Sequence, residues 1–573
     1  MKKKFSKAAG SLVIASLLAS VIGCSNSGTS NDPANNTGNS TGGNNTGAVS
    51  TEPMTLTAFF PDPNTTWNNM QDDVGKYITE KTGITLKPEF AVGDPEQKIN
   101  LIAASGEYPD LISPKGTSGA LIDAGALLDL TDLIEEHAPN IKAMLGDQIN
   151  RLRYSNEDPS IYFIPSLEAI DQYYFDAGGP FNLQHEVVKE LGYPKMRTLK
   201  DYENAIKAYK EKHPTIDGQP TIGLSLLADD WRIMISTTNP AFWATGAPDD
   251  GEFYIDPETY EAILHYKRPE EREYFRWLNH MNDIGLLDKE SFVQKYDQYK
   301  AKIASGRVLA TIDQQWEIDE PEATLKAAGK HERTYGHYPI TLDETYKAAN
   351  FQQTGFNGGW GLGITTAAED PVRIIKFLDW LASEEGQILI NWGIEGKHYE
   401  YVDGKRVFLP EIQDIRVNDN NRFKKEFGIG NYNLSLRYGD GVKDSTGNYY
   451  TTNNPEQVLE AYSDVEKEVL AGYGATYWKD LFPQEDEFEV KPWGAAWNIP
   501  VPTDSVIPVT QQKANDIVRK RIPEAILAKP ADFDKVYDTM LAELDKAGVK
   551  KMEEEYTELV RARVELWSGQ VTK

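Results

Sequence analysis

Short apolar strands alternate with amphipathic helices in the folded part of the chain, and this alternation restricts the possible folds more than any other feature. We predict strands at 55–60, 84–90 and 110–112, separated by helices at 67–82 and 95–104. Strand–helix–strand order is typical of a parallel sheet with helices on both faces. The sequence therefore predicts an α/β fold.

The same alternation continues through the rest of the chain. A second unit begins after Tyr173, and a helix begins at Pro371, because proline is favoured at the first helical position. An Asp-Gly pair predicts a hairpin at 401–407. Further predicted elements are helices at 199–212, 269–284 and 372–382, a strand at 308–312, and a helical pattern at 532–567 broken near Gly548. A folded body of about 520 residues exceeds one hydrophobic core, so we expect two or three domains.

The N-terminus has the features of a secreted leader. Four lysines precede an apolar stretch at 8–22, which is shorter than the roughly 20 residues that a membrane-spanning helix needs. Cys24, the only cysteine in the chain, follows directly. This pattern resembles the lipobox of bacterial lipoproteins, in which the thiol takes a diacylglyceryl group. We expect 1–23 to be a signal peptide and Cys24 to be lipidated; the alternative is an ordinary signal peptide with a chance cysteine.

The next segment is the predicted tether, 24–53, and its residues 25–51 are almost all Ser, Asn, Gly and Thr, with Asp32 their only charge; apolar sequence resumes near Met54. Such a composition cannot bury a core, and we expect a disordered tether. Its root-mean-square reach is about 30 Å, from roughly 5–6 Å × √n. The sequence therefore predicts a folded body tethered by its lipid to the extracellular face of the cell membrane of a Gram-positive bacterium.

Net charge narrows the choice of partners. The formal charge is −29 at pH 7, and removal of the four leader lysines takes it to −33. A field of this sign repels nucleic acid and anionic lipid headgroups, although a pocket with local Arg or Lys can still bind an anionic small ligand. With one cysteine there is no intrachain disulfide, so stability must come from the core. We expect a monomer that binds no nucleic acid.

Several catalytic and cofactor motifs are absent from the sequence. It contains no His-Glu-x-x-His zinc motif and no Walker loop, and its eight histidines show no metal-binding spacing. The glycines at 359–363 are interrupted by Trp360 and Leu362, which indicates a strand or turn packed closely on a neighbour rather than a nucleotide loop. A glycosidase needs two carboxylates at a set separation, which sequence alone does not reveal.

Several ordered segments identify the chain as resembling a known family. They are 101–111 (LIAASGEYPDL), 161–165 (IYFIP), 311–316 (TIDQQW), 383–387 (SEEGQ) and 392–399 (WGIEGKHY). In this order, behind a lipobox and a tether, they resemble the extracellular solute-binding proteins of bacterial ABC importers, in the oligosaccharide-binding branch that includes LipO-like lipoproteins. The resemblance extends over nearly the whole mature chain.

The resemblance implies a periplasmic-binding-protein type II fold: two α/β lobes, each a parallel-rich sheet flanked by helices, with the ligand in the cleft between them. It places the N-terminal lobe at 54–169 and 339–413 and the C-terminal lobe at 170–338 and 414–573, with crossings near 165–173 and 339–358. It implies a binding protein, not an enzyme, that captures an oligosaccharide and delivers it to the permease of an ABC importer. We expect no cofactor.

Candidate contacts follow from sugar chemistry, because apolar sugar faces stack on Trp and Tyr while hydroxyls pair with polar side chains. Trp316 follows the strand at 308–312, where related maltodextrin binders carry a stacking Trp. The full set of candidates is Trp67, Asp171, Gln172, Tyr173, Trp231, Arg232, Trp243, Asp313, Gln314, Trp316, Asn357, Trp360, Glu395 and Trp497. For each Trp, burial in the core is the alternative interpretation.

One family feature is missing. Alginate-type relatives carry an EF-hand-like calcium loop after the helix that here is predicted at 199–212. The segment 213–220 lacks the alternating Asp and Asn ligands of such a loop, so we expect no metal. Two other functional classes stay open from the residues alone: a surface glycoside-active enzyme, and a binding protein for a non-sugar solute such as a peptide.

Overall fold

The computed structural model describes residues 51–568, so the predicted leader, Cys24 and most of the predicted tether lie outside the described residues. Within that range, nine strands form two sheets. They are β1 Met54–Phe60, β2 Ile84–Phe90, β3 Leu111–Ile112, β4 Ile164–Pro165, β5 Phe181–Gln184, β6 Ile222–Ser225, β7 Val308–Ile312, β8 Tyr335–Tyr338 and β9 Gly361–Ile364. None of the helices between 51 and 568 combines the length and apolarity needed to cross a bilayer.

The first sheet has the strand order β2-β1-β3-β9-β4. β1 runs parallel to β2 and β3, and β9 runs antiparallel to β3 and β4. Alternate residues of β1 enter two cores: Leu56 and Ala58 pack on one face, and Phe59 packs with Ile112 on the other. Both faces are therefore covered, as parallel strands require. Gly361 lies so close to Ile164 that a side chain would not fit, which confirms the predicted close packing of the glycine segment.

Helices cover both faces of the first sheet. They are Asp73–Thr82, Pro95–Ser105, Gly119–Asp123, Thr131–His137, Pro139–Leu145, Pro371–Ala382, Glu384–Trp392, Pro410–Asn418 and Asn420–Phe427. The predicted helix at 67–82 is wrong at its start. Asn69 and Met70 have positive φ, which interrupts a right-handed helix, and the Asp72 side chain then caps the helix by accepting from the backbone N–H of Gly75.

The second sheet has the strand order β8-β5-β7-β6. β7 pairs parallel with β6 and antiparallel with β5, and β5 pairs antiparallel with β8. Leu309, Ala310 and Ile312 enter the largest core, and Val308 enters a small core on the other face. The helices Leu199–Lys212, Pro269–Asp283, Tyr296–Ala304, Gln315–Ala327, Ile507–Leu527, Phe533–Ala547 and Val549–Ser568 contribute to these cores or border them.

The remaining elements are short. Further helices are His185–Glu190, Pro240–Ala244, Pro455–Ala461 and Asp464–Gly472, and further strands are Ala169–Ile170, Thr215–Ile216, Gln219–Pro220, Phe253–Ile255, Ala262–Leu264, Tyr399–Val402, Lys405–Phe408 and Arg437–Tyr438. The predicted hairpin forms between Tyr399–Val402 and Lys405–Phe408, and positive φ at Asp403 and Gly404 confirms its turn. The predicted break near Gly548 is confirmed as well, because that residue ends one helix in the left-handed conformation.

The chain builds the two sheets discontinuously. It leaves the first sheet after Pro165, joins the second at Phe181, and returns between Tyr338 and Gly361. Five residues from Phe423 to Leu436 belong to the first core, and from Val458 onward buried residues belong to the second. The expected boundary at 413 therefore differs from the core packing, since the helix Asn420–Phe427 and the loop after it bury their apolar side chains against the first sheet.

The two chain segments described above connect the same edge of the first sheet to the same edge of the second sheet. In the first sheet β1, β3 and β4 end at one edge, where β9 begins, since Gly361 pairs with Pro165. In the second sheet β6, β7 and β8 end at one edge, where β5 begins, since Phe181 pairs with both Ile312 and Tyr338. The two carboxyl edges therefore flank a shared space, which is where open α/β sheets bind ligands.

Candidate functional site

The edge of the second sheet carries an exposed pair of indole rings. Trp231 follows β6 and Trp316 follows β7, and their ring centroids lie 5.9 Å apart at an interplanar angle of 22°. Trp231 is 42% exposed and Trp316 is 53% exposed, although indoles are normally among the more buried side chains. The structure therefore brings together two predicted contacts and leaves about half of each side chain open to solvent.

Arg232 holds this pair in place through charge and ring contacts. Its guanidinium lies 4.7 Å from the Trp231 ring and 4.2 Å from the Tyr296 ring. Its Nε lies 3.0 Å from the buried Glu317 carboxylate and its Nη1 lies 2.9 Å from Asp230. Burial raises the pKa of the Glu317 carboxyl, and Arg232 opposes that rise. Arg232 is thus saturated by carboxylates and stiffens the floor beneath the indoles.

Asp313 lies in a different environment from the one predicted. We expected its carboxylate to take sugar hydroxyls, but the side chain is fully buried. The Tyr299 hydroxyl donates to its Oδ2 at 2.9 Å, and the Gln314 backbone N–H donates to its Oδ1 at 2.9 Å. Burial, with the nearby Glu317 charge, raises the pKa of Asp313 to about 8. Asp313 supports the end of β7, and the half-buried Gln314 beside it is the more accessible polar group.

The edge of the first sheet carries a second cluster. Asp62 follows β1, Lys115 follows β3, and Trp360 precedes β9. Lys115 Nζ lies 2.6 Å from the Asp62 carboxylate and 5.3 Å from the centre of the Trp360 ring. The Trp360 ring lies 4.5 Å from that of Trp497, at 58°. Two predicted aromatic contacts therefore meet here, with a lysine that the sequence analysis did not single out.

The segments that join the sheets contribute polar groups. Asp171 adopts positive φ and is exposed, and Gln172 donates to the Asp440 carboxylate at 2.9 Å. The ring of Tyr173, 43% exposed, lies 3.8 Å from Lys479 Nζ. The chain passes between the two cores a third time, from Leu436 in the first to Val458 in the second. Arg437–Tyr438 in this third crossing pairs in parallel with Ala169–Ile170 in the first, so two crossing segments share a ladder.

Asn357, on the second connecting segment, is buried. Its Oδ1 accepts from the Ala495 backbone N–H at 2.9 Å, and its side chain also bonds to Glu168. Burial raises the pKa of the Glu168 carboxyl. Asn357 therefore ties the connecting segments to the loop that carries Trp497, and its amide is engaged by protein groups rather than open to solvent.

Three candidates are not brought to either cluster. Trp67 is half-buried, and its ring packs on Phe90 at 6.3 Å and Tyr432 at 5.7 Å, at the margin of the first core. Trp243 is half-buried on the helix Pro240–Ala244. Glu395 is exposed in the loop between the helix Glu384–Trp392 and the hairpin that follows. Their proposed ligand contacts stay predictions.

Sequence reasoning missed several groups that complete the clusters, namely Asp62, Lys115, Tyr296, Glu317 and Lys479. Asp62 and Lys115 each lie within three residues of a strand end, so the strand prediction together with the rule on carboxyl edges could have found them. Tyr296 and Glu317 lie on helices behind the indole pair, and Lys479 comes from a remote loop. Nothing local in the sequence signals that they meet.

The segment expected to lack a calcium loop forms a hairpin. Thr215–Ile216 pairs with Gln219–Pro220 around Asp217 and Gly218, both with positive φ. Among residues 51–568, no cluster of three or more His, Cys, Asp or Glu side chains could hold a metal ion. The hairpin lies at the amino edge of the second sheet, away from both aromatic clusters.

The two sheets, the shared edges and the aromatic clusters define a two-lobed binding protein. A family model described as bacterial extracellular solute-binding protein matches residues 74–392, which is more than half of the chain and includes β2 to β9. The chain belongs to this family of bacterial extracellular solute-binding proteins.

Individual relatives agree with this assignment. Lipoprotein LipO of Bacillus subtilis (strain 168) is 22% identical over 377 residues, which cover 63% of this chain and 68% of LipO. The structure of a Streptococcus pneumoniae ABC-transporter substrate binding protein, an EF-hand mutant of FusA in complex with fructo-nystose, superimposes with a TM-score of 0.61 at 18% identity, covering 88% of this chain and 99% of FusA.

A third likeness is to an HMO-binding, ABC-transporter-associated solute binding protein from Bifidobacterium longum infantis ATCC 15697. It superimposes with a TM-score of 0.60 at 15% identity, covering 89% of this chain and 99% of that protein. At such identities the structures show the fold. They confirm the predicted α/β class with two periplasmic-binding-protein-like lobes.

Proposed function

We propose that this protein captures an oligosaccharide in the cleft between its two lobes and delivers it to an ABC importer. The observation that carries the proposal is the exposed Trp231–Trp316 pair at the carboxyl edge of the second sheet. Flat apolar rings bordered by fixed polar groups suit sugar rings, which present C–H faces and hydroxyl edges. The Trp360–Trp497 pair offers a similar surface from the other edge.

The relatives support the choice of ligand class. FusA is described as a fructooligosaccharide ABC transporter substrate-binding protein, and its solved structure holds fructo-nystose. The Bifidobacterium relative is described as HMO-binding. We transfer the general class, an oligosaccharide, and not the particular sugar.

The buried residues of the two cores support a division of the chain into two lobes, which the proposal requires. The first lobe takes its core from residues between 56 and 170 and between 356 and 436, and the second takes its core from residues between 177 and 351 and between 458 and 564. A ligand that contacts both lobes binds the closed arrangement better than the open one, and only such a difference in affinity can shift the equilibrium. Capture by closure therefore requires contacts from both lobes, which Trp360 on the first lobe and the Trp231–Trp316 pair on the second can supply.

The location of the protein is part of the proposal. The leader and Cys24 support attachment by lipid to the extracellular face of the membrane, and LipO is itself named a lipoprotein. The Ser- and Asn-rich segment would then let the body reach a permease within about 30 Å. We propose that the protein works as a monomer that hands its sugar to permease subunits and does not alter it.

Isothermal titration against a panel of oligosaccharides, combined with chromatography of the recovered sugar, tests this function. We expect saturable binding and unchanged sugar. Shortened sugar in the recovered material would instead identify a glycoside-active enzyme. Saturable binding of peptides with no response to any sugar would identify a binding protein for another solute, and either result would overturn the proposal.

A further inference from the structure

The cations at the two sheet edges already have carboxylate partners. Lys115 Nζ lies 2.6 Å from Asp62, and these side chains are 29% and 63% exposed. Arg232 pairs with Asp230 and with the buried Glu317. At each edge, therefore, the positive charge beside the aromatic rings is neutralised within the protein.

The connecting segments show the same pairing. Lys479 Nζ lies 2.6 Å from Glu485 and donates to the Tyr174 carbonyl at 2.5 Å. Arg437 donates to the Leu167 carbonyl at 2.7 Å and interacts electrostatically with Glu168 and Asp440. Lys479 and Arg437 are thus also compensated by acids.

Seven acids lie with these four cations around the cleft. The acids are Asp62, Glu168, Asp171, Asp230, Glu317, Asp440 and Glu485, and the cations are Lys115, Arg232, Arg437 and Lys479; two further guanidiniums, of Arg151 and Arg563, have no carboxylate partner among residues 51–568. The chain as a whole also has an excess of acids, with a formal charge of −29. A ligand carboxylate that approached Lys115 or Arg232, the cations beside the aromatic rings, would have to displace an existing acidic partner or stay unpaired, and both alternatives cost free energy.

We infer that the ligand is an uncharged oligosaccharide rather than one built from uronic acids or from amino sugars; this inference rests on the proposed function. Hydroxyl groups donate well to carboxylates whose charge is already balanced by a fixed cation. The aromatic pairs bind sugar faces without regard to charge. A cationic amino sugar would compete with Lys115 and Arg232 for the acids that hold them.

Two arginines near the second crossing, Arg151 and Arg563, have carbonyl oxygens and an indole ring as partners instead of carboxylates. Arg151 donates to the Phe356 carbonyl at 2.6 Å and lies 4.7 Å from the Trp567 ring. Arg563, which is buried, lies 4.7 Å from the same ring and donates to carbonyls of Ala495 and Asn498. Carbonyls and an indole ring satisfy these groups, and Arg151 is therefore the residue to test if an acidic sugar does bind.

The test compares neutral, uronate and glucosamine oligomers of equal length, first on a glycan array and then by titration of the full chain. Salt is raised from about 0.05 to about 0.5 M, over which screening of exposed charges strengthens. We expect neutral oligomers to bind with a Kd that changes less than about threefold, and uronates to bind at least about tenfold more weakly.

The possible failures are distinguishable. Tighter binding of uronates or glucosamine oligomers than of neutral sugars overturns this inference and leaves the proposed function standing. Loss of uronate binding in Arg151→Met would then place the ligand's acid at that guanidinium. A lack of binding to every oligosaccharide overturns the proposed function, and this inference with it.

A charge variant makes the test sharper. Asp62→Asn removes the carboxylate beside Lys115 while keeping a side chain of similar shape, so the ratio of uronate to neutral affinity should rise about threefold or more at low salt. The matched control is Asp217→Asn, which removes the partner of Lys330, 2.8 Å away, at the opposite edge of the second sheet. The control should leave the ratio unchanged, and an unchanged ratio in Asp62→Asn contradicts the inference.

Discussion

At the scale of single residues, Trp316 combines high exposure with a fixed ring. Its Trp231 neighbour orients the indole, and no core cluster contains it. We expect Trp316→Ala to weaken oligosaccharide binding about tenfold or more, because loss of an aromatic anchor typically costs about 2 kcal/mol. Titration measures this loss, and Trp316→Phe should recover part of it because a flat ring remains.

Trp67 is the matched comparison for Trp316. Its ring packs on Phe90 and Tyr432 at the margin of the first core. Trp67→Ala should therefore lower Tm, since aromatic-to-alanine changes in cores cost about 3–5 kcal/mol at full burial, and should leave affinity close to normal. The opposite pattern, with stability lost in Trp316→Ala and affinity lost in Trp67→Ala, would make Trp316 a core residue and Trp67 a ligand contact.

Asp313 gives a prediction about pH. Its pKa is raised to about 8 by burial and by Glu317, from an ordinary value of 3.8, so the folded state holds a proton that the unfolded chain releases. Such a group stabilises the fold below pH 4, and its contribution falls as pH rises towards 8. The Tm of Asp313→Asn, measured against that of the unchanged protein, should therefore rise steadily over this range.

The comparison of Asp313→Asn with the unchanged protein isolates the effect of the Asp313 carboxyl group on Tm, because the other titrating groups are common to both proteins. A difference in Tm that stays constant from pH 4 to pH 8 would show that Asp313 is ionised in the folded protein. Asp288→Asn serves as a control, since that carboxylate pairs with Lys302 at 2.7 Å and has no comparable buried acid beside it.

At the scale of elements, the ladder between the crossings controls how the lobes are joined. Gly439 follows Arg437–Tyr438, and its N–H donates to the Ile170 carbonyl at 2.7 Å. A side-chain carbon there would lie 2.4 Å from Gln172 Cα, which is backbone and cannot move aside cheaply. We expect Gly439→Ala to lower Tm and to weaken ligand binding together, because it separates the two crossing segments.

Gly116 offers a matched control for stability. A side-chain carbon at this position meets no atom within 4 Å. Gly116→Ala should therefore leave Tm nearly unchanged when measured beside Gly439→Ala. Equal Tm values for both variants would show that the ladder tolerates the added carbon and does not constrain the crossings.

Elements with strong local signals could be predicted from sequence. The helix Leu199–Lys212 has the predicted limits because the Thr198 and Asp201 side chains form a capping box at its start. The strand Val308–Ile312 also has the predicted limits, because five consecutive apolar or small residues are fully buried. The strands Phe181–Gln184 and Tyr335–Tyr338 were not predicted, since His, Gln and Asn interrupt their hydrophobic pattern and find partners only after folding.

The candidate site could be predicted in part, and for a physical reason. Trp316 was found because it follows a predicted strand, whereas Trp231 was proposed only as a loop aromatic, since the strand Ile222–Ser225 before it was not predicted. In the structure both follow strand ends, and such positions are near each other in an open α/β sheet. Asp313 also follows a strand end, yet it turns inward to Tyr299. The direction of a side chain depends on packing from other elements, which the local sequence does not encode.

At the scale of the whole molecule, we expect the two lobes to approach each other when ligand binds. The crossings connect the carboxyl edges of both sheets, so rotation about them narrows the space between the aromatic pairs. Small-angle scattering should show a smaller radius of gyration at saturating ligand. An unchanged radius at saturation, verified by titration on the same sample, would contradict closure and place the ligand on one lobe alone.

The position of β9 has a consequence for biosynthesis. This strand inserts between β3 and β4, so the sheet that begins at Met54 is incomplete until residue 364 has been made. The second sheet, ending at Tyr338, is finished earlier, although three of its helices, Ile507–Leu527, Phe533–Ala547 and Val549–Ser568, are made last. Pairings so distant along the chain form slowly. Neither lobe therefore corresponds to a contiguous gene fragment, and a shortened chain would expose open strand edges that invite aggregation.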